Sequence, residues 1–148
     1  MRPTSRLLTL DSNVLIAALK TDEVHSEECS EILGRVPETF TLSEPSILYQ
    51  EVCGTLARRA GISAAEDARR QLDMMIPSRL LVTCDRALSV SAYPLCFEYG
   101  IYAVDAIYLK VALDTHGILV SLDKEDFIDR VRSRNPNLQA YHVSELPC

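Results

Sequence analysis

The chain has 148 residues, 47% of them apolar, and a net charge of −6. That length suits one domain, which buries roughly two thirds of the surface its unfolded chain exposes, so folding needs neither disulfides nor a structural metal. The acidic balance excludes a protein that grips nucleic acid through general basicity, and no run approaches the roughly 20 apolar residues of a membrane span.

Asp11 arrives before any signal-like apolar core forms, so the expectation is a single domain over 1–148, cytoplasmic and without membrane contact. Five cysteines without a C-x-x-C pair argue against a disulfide framework and for free, mostly buried thiols. Twelve of the 15 basic residues are Arg, grouped at Arg58 and Arg59, Arg69 and Arg70, and Arg130, Arg132 and Arg134. Such groups suit bidentate phosphate contacts, and suit solvated helix faces equally well.

Residues 7–10 form a short apolar run fit for a buried strand, and the Asp-Ser-Asn behind it is N-cap chemistry opening a helix over 14–19. A second helix is predicted over about 25–35 and a strand over 40–42. Ser43-Glu-Pro-Ser then reads as the opening of a helix in which Leu48, Val52 and Leu56 repeat at i+4, with Gly61 as its stop signal. Ser63-Ala-Ala-Glu reads as a capping box for a helix ending near Ile76.

Residues 80–82 are the next strand candidate, and a helix over 85–99 should break around Pro94. An apolar helix over 103–114 follows, then a buried strand over 118–122, a short helix or turn over 123–131 and a last strand over 140–143. Strands alternating with helices predict an α/β fold of three layers, α/β/α, around a mainly parallel sheet of four or five strands.

Asp11 and Asp123 each directly follow a strand candidate, the place where open α/β sheets carry their sites. Either one alone reads equally well as a helix cap. Asp105 lies among apolar neighbours in the first turn of a buried-looking helix, where a charge must be met by an Arg, by the helix N-terminus or by a cation. Glu51 falls on the flank of the Leu48, Val52 and Leu56 stripe, within reach of a rim.

Several carboxylates in one pocket stay ionised only against a cation. Oxygen-only ligands select a hard ion, Mg²⁺ with Mn²⁺ as substitute, which can activate water and offset charge on a phosphoryl oxygen. The expectation is that Asp11 and Asp123 end neighbouring parallel strands and meet Asp105 around one cation position.

These residues resemble a PIN-domain ribonuclease, particularly the VapC-like toxins of toxin–antitoxin pairs. Leu10-Asp-Ser-Asn-Val-Leu-Ile is similar to the family's opening D-[ST]-N-[VI]-L, and Ser43-Glu-Pro-Ser-Ile-Leu-Tyr-Gln-Glu-Val to the segment that supplies its glutamate. Val104-Asp-Ala-Ile-Tyr-Leu resembles its D-A-x-x-L helix, and Leu119-Val-Ser-Leu-Asp its L-V-T-x-D strand end. The four segments in order span about residues 7–143.

The resemblance implies that Asp11, Glu51, Asp105 and Asp123 bind metal and catalyse RNA hydrolysis to a 3′-hydroxyl and a 5′-phosphate. It implies supporting roles for Ser12, Asn13 and Ser121, a homodimer, and a small antitoxin as partner. Two departures stand out: Ser121 replaces the usual Thr, and Phe127 lies four rather than three residues after Asp123. The second makes Asp126 an additional or substitute candidate ligand.

Other classes fit less well. No G-x-G-x-x-G or P-loop is present, Asn13 stands where an aspartyl phosphatase needs a second Asp, and three scattered histidines make no zinc cluster. The alternative is a catalytically inactive PIN domain that serves as an RNA- or protein-binding module.

Overall fold

The computed structural model describes residues 4–147. In chain order it runs β1 (Arg6–Leu10), α1 (Ser12–Leu19), α2 (Ser26–Leu33), β2 (Phe40–Leu42), β3 (Glu44–Pro45), α3 (Leu48–Ala60) and α4 (Ile62–Met75). It continues through β4 (Leu81–Val82), α5 (Arg86–Ala92), α6 (Pro94–Tyr99), α7 (Ala103–Thr115) and β5 (Ile118–Ser121). A wide π-type turn over Lys124–Ile128, α8 (Asp129–Arg134) and β6 (Ala140–His142) complete the order.

The central sheet has four parallel strands in the order β2-β1-β5-β6. All four residues of β5 are buried, and since successive strand residues point to opposite faces, helices cover both sides of the sheet. Leu8, Leu10, Leu119 and Val120 are fully buried, each contributing about 1.5–3 kcal/mol by leaving water. From β1 the chain steps to β2 on one side and, later, to β5 on the other. The crevice beyond the carboxyl ends of β1 and β5 is therefore the switch point of the topology.

Three local expectations need correction. Ser43-Glu-Pro-Ser does not open a helix. Pro45 disfavours helical backbone at Glu44, so the segment stays extended as β3 and α3 starts only at Leu48. The strand candidate at 80–82 is present as β4, which pairs with β3 in a two-stranded parallel ribbon apart from the central sheet.

The Ser63 capping box is not made, because Gly61 at φ +98° turns the chain directly into α4 two residues earlier. Of the cysteines, only Cys29 is fully buried; Cys53, Cys84 and Cys96 are half-buried and all four are free thiols, while Cys148 lies outside the described residues. The break at Pro94 falls as expected, with proline in the first turn of α6 where its missing N–H is harmless.

Gly117 shows how tightly β5 enters the sheet. A Cβ there would lie 3.0 Å from the Leu7 carbonyl oxygen and 3.1 Å from Thr115 Oγ1. Gly117→Ala is expected to destabilise the protein by about 1–3 kcal/mol through this overpacking, read as a lower urea midpoint. An unchanged midpoint would mean that β1 and β5 slide apart freely.

Candidate active site

Asp11 follows β1 immediately and Asp123 stands two residues beyond the adjacent β5, so both acids open onto the switch-point crevice. Asp11 is nearly fully buried and occupies the N-cap position of α1, yet its side chain makes no capping bond. Its carboxylate is held from the β5 side instead. Ser121 Oγ donates to Asp11 Oδ2 at 2.8 Å and Asn13 Nδ2 to the same oxygen at 3.3 Å.

Asn13 ties the two loops together, donating to Ser121 Oγ at 3.2 Å while its Oδ1 accepts the Leu122 N–H at 3.1 Å. Ser121 Oγ also accepts the Asp123 N–H at 3.0 Å. Ser12 is buried as the first residue of α1, directly behind Asp11. Unlike Asp11, Asp123 does cap, accepting the Asp126 N–H at 3.1 Å.

Glu51 and Asp105 approach from the helices. Glu51 sits in the first turn of α3 and accepts the Tyr108 hydroxyl at 2.7 Å, which anchors it to α7. Asp105 lies in the first turn of α7, three residues before Tyr108 and on the same helix face. Asp126 pairs with Arg130 at 3.1 Å, so one of its oxygens already faces a guanidinium.

The acids form one electrostatic cluster. Burial, followed by the nearby Asp105 charge, pushes Asp11 up to about 7 despite the Ser121 hydrogen bond. Burial and then the charges of Asp123, Glu51 and Asp126 push Asp105 up to about 6. Among the described residues no three His, Cys, Asp or Glu side chains form a ready-made metal cage, so the expected meeting around one point is not preformed.

The donor set nonetheless fits a hard divalent ion. Its oxygens repel one another without a counter-charge, and Mg²⁺ typically takes one or two carboxylates and keeps several waters. A groove lined by Arg6, His116, Asn135 and Gln139 opens at the amino-terminal end of the sheet, away from these acids.

The arginine groups mostly pair locally. Arg69 bridges Glu66 and Asp73, Arg70 meets Asp67, Arg59 meets Glu23 and Arg132 meets Asp129. The solvated-face reading therefore describes them better than a phosphate-binding one.

Two residues of the site were not anticipated from sequence. In the sequence Tyr108 is one residue of an apolar helix, and its i+3 spacing from Asp105 is the signal that could mark it. In the sequence Glu44 belongs to a helix-start pattern, yet in the fold it is fully buried and its Oε1 accepts the Leu10 N–H at 2.8 Å. Burial holds its carboxyl well above the usual range.

The deciding comparison is with family models: the one described as PIN domain matches residues 8–133. The chain belongs to the PIN domain family. Solved structures similar to this PIN domain include a toxin–antitoxin complex from Klebsiella pneumoniae, with a TM-score of 0.67 and 19% identity over 96% of this chain and 100% of that one. VapC20 of Mycobacterium tuberculosis, described as a sarcin-ricin loop cleaving toxin, gives 0.65 and 14% over 80% and 91%.

VapBC2 from Rickettsia felis, bound to a DNA fragment of its promoter, gives 0.65 and 13% over 92% and 98%. At such identities the likeness is one of fold. No curated protein matches the chain.

Proposed function

We propose that this PIN domain is a divalent-metal-dependent endoribonuclease and the toxin of a toxin–antitoxin pair. The observation that carries this reading is Asp11: a buried carboxylate at the switch point that caps nothing, held by Ser121 and Asn13 and pushed up to about 7 by burial and by Asp105. A group so placed has no structural task that a neutral residue would not perform better.

Asp11, Glu51, Asp105 and Asp123 would hold Mg²⁺, with Mn²⁺ as substitute and Asp126 as a further candidate ligand. The ion supplies activation of water and neutralisation of charge on the phosphodiester. Ser121 and Asn13 orient the Asp11 carboxylate, and Tyr108 holds one oxygen of Glu51 and leaves the other outside that bond. Hydrolysis leaves a 3′-hydroxyl and a 5′-phosphate.

The same proposal takes 1–148 as one functional unit acting in the cytoplasm as a homodimer and restrained by a small antitoxin protein. Support for a partner is the toxin–antitoxin setting of the similar structures. Among the described residues no helix is long and apolar enough to cross a membrane.

Incubation of purified protein with total RNA, in Mg²⁺, Mn²⁺ or chelator, tests the activity. Cation-dependent cuts bearing 5′-phosphates are expected. Absence of cleavage together with absence of Mn²⁺ binding by calorimetry would favour the inactive binding module.

A further inference from the structure

β1 outlasts its neighbour β2. The Ser43 N–H donates to the Leu8 carbonyl at 2.9 Å, and the chain then turns away into β3. Alternate residues of a strand address the same neighbour, so the next β1 amide on that side is Leu10. Its N–H goes to Glu44 Oε1 at 2.8 Å, a side chain standing where a longer β2 would offer a carbonyl.

On the other side the Asp11 N–H donates to the Val120 carbonyl at 2.9 Å. The backbone entering Asp11 is thus clamped by β5 on one side and by a single side chain on the other. Thr9 Oγ1, donating to the Ser43 carbonyl at 2.8 Å, holds the segment that carries Glu44 against β1.

Glu44 is fully buried, and its Oε2 has no hydrogen-bond partner among the described residues. A buried polar atom left unpaired is destabilising, so packing alone does not account for an acid here. An apolar residue would avoid that penalty but would orphan the Leu10 N–H.

We propose that Glu44 is a positioning residue for Asp11: its carboxyl extends the ladder past the end of β2 and fixes the direction in which the Asp11 side chain enters the acid cluster. The inference rests on the reading of Asp11 as a cation-holding residue. What it requires of Glu44 is reach and an acceptor oxygen, not charge.

Two variants separate these properties. Glu44→Gln keeps length and acceptor and removes the acid; Glu44→Asp keeps the acid and loses one methylene. Glu44→Asp is expected to lose about 10–100-fold in kcat and in Mn²⁺ affinity, the usual effect of removing an outer support of a metal ligand, while Glu44→Gln loses less than about tenfold. KM for RNA should stay unchanged in both.

A readout free of metal and RNA is amide hydrogen exchange at Leu10, expected to be slow in the wild type and in Glu44→Gln and accelerated in Glu44→Asp. If Glu44→Asp fails to fold, Glu44→Gln still decides: loss of activity and Mn²⁺ binding comparable to Asp11→Asn would show that the charge is needed, and the proposal falls. It falls equally if Glu44→Asp exchanges and cleaves like the wild type. Wild-type protein that neither cleaves RNA nor binds Mn²⁺ would instead overturn the reading of the site, while Leu10 exchange would still report on the clamp.

Discussion

Asp11→Asn is expected to lower RNA cleavage at least about a hundredfold, the several kcal/mol by which a bound ion stabilises developing charge, and to raise the stability of the cation-free protein. The amide keeps an oxygen for Ser121 and places its NH₂ where the second carboxylate oxygen stood. At about pH 8 the wild-type carboxylate is ionised although burial holds it up to about 7. Each pKa unit is worth about 1.4 kcal/mol, so removing that charge should add on the order of 2–4 kcal/mol in chelator.

Adding millimolar Mg²⁺ should stabilise the wild type more than the variant, since stabilisation follows occupancy. Melting curves with and without cation, beside cleavage assays, check both halves. A variant that cuts RNA at the wild-type rate would reduce Asp11 to a structural residue. A variant less stable than wild type in chelator would show that the charge serves the fold.

The pH dependence of the cation-free protein carries the second large effect. Asp11 and Asp105 are raised from 3.8 to about 7 and about 6. As pH rises from about 4, the unfolded chain releases these protons while the folded chain keeps them, so the folded state binds more protons and its stability falls with pH. The part of the fall due to these two acids should end near pH 7, where the folded Asp11 also ionises.

Glu44 adds to this fall, whereas His142, pushed below 6.5 by burial and by His25, opposes it. The wild-type urea midpoint in chelator should drop by a few kcal/mol equivalent across this window. The decline should be shallower in Asp11→Asn, and flattened when Mg²⁺ lowers the folded pKa values. Parallel wild-type and Asp11→Asn profiles would show that Asp11 does not titrate in this range.

The parts of this architecture legible in sequence are those encoded locally. Residues 7–10 and 118–122 are apolar runs long enough to be buried strands, and the acids behind them fall where parallel sheets place sites. That Asp11 caps nothing and Asp123 does is invisible locally, because it depends on Ser121 reaching across from the next strand.

Glu44 was hidden by its own context. Ser-Glu-Pro-Ser contains helix-start residues, and only the contact with Leu10, from 34 residues earlier in the chain, reveals the segment as an extension of a ladder. The ribbon of β3 with β4 was equally unreadable, since two residues carry no periodicity.

The strand order also sets when the site comes into being during synthesis. Asp11 is made early, but the strand that supports it on one side begins only at Ile118, and Ser121, which holds its carboxylate, is three residues further on. Domains emerge from the ribosome at about 5–20 residues per second. For most of that passage the nascent chain carries Asp11, Glu51 and then Asp105 without the strand that gathers them. The acid cluster is therefore incomplete on the nascent chain until β5 has been made and has closed against β1.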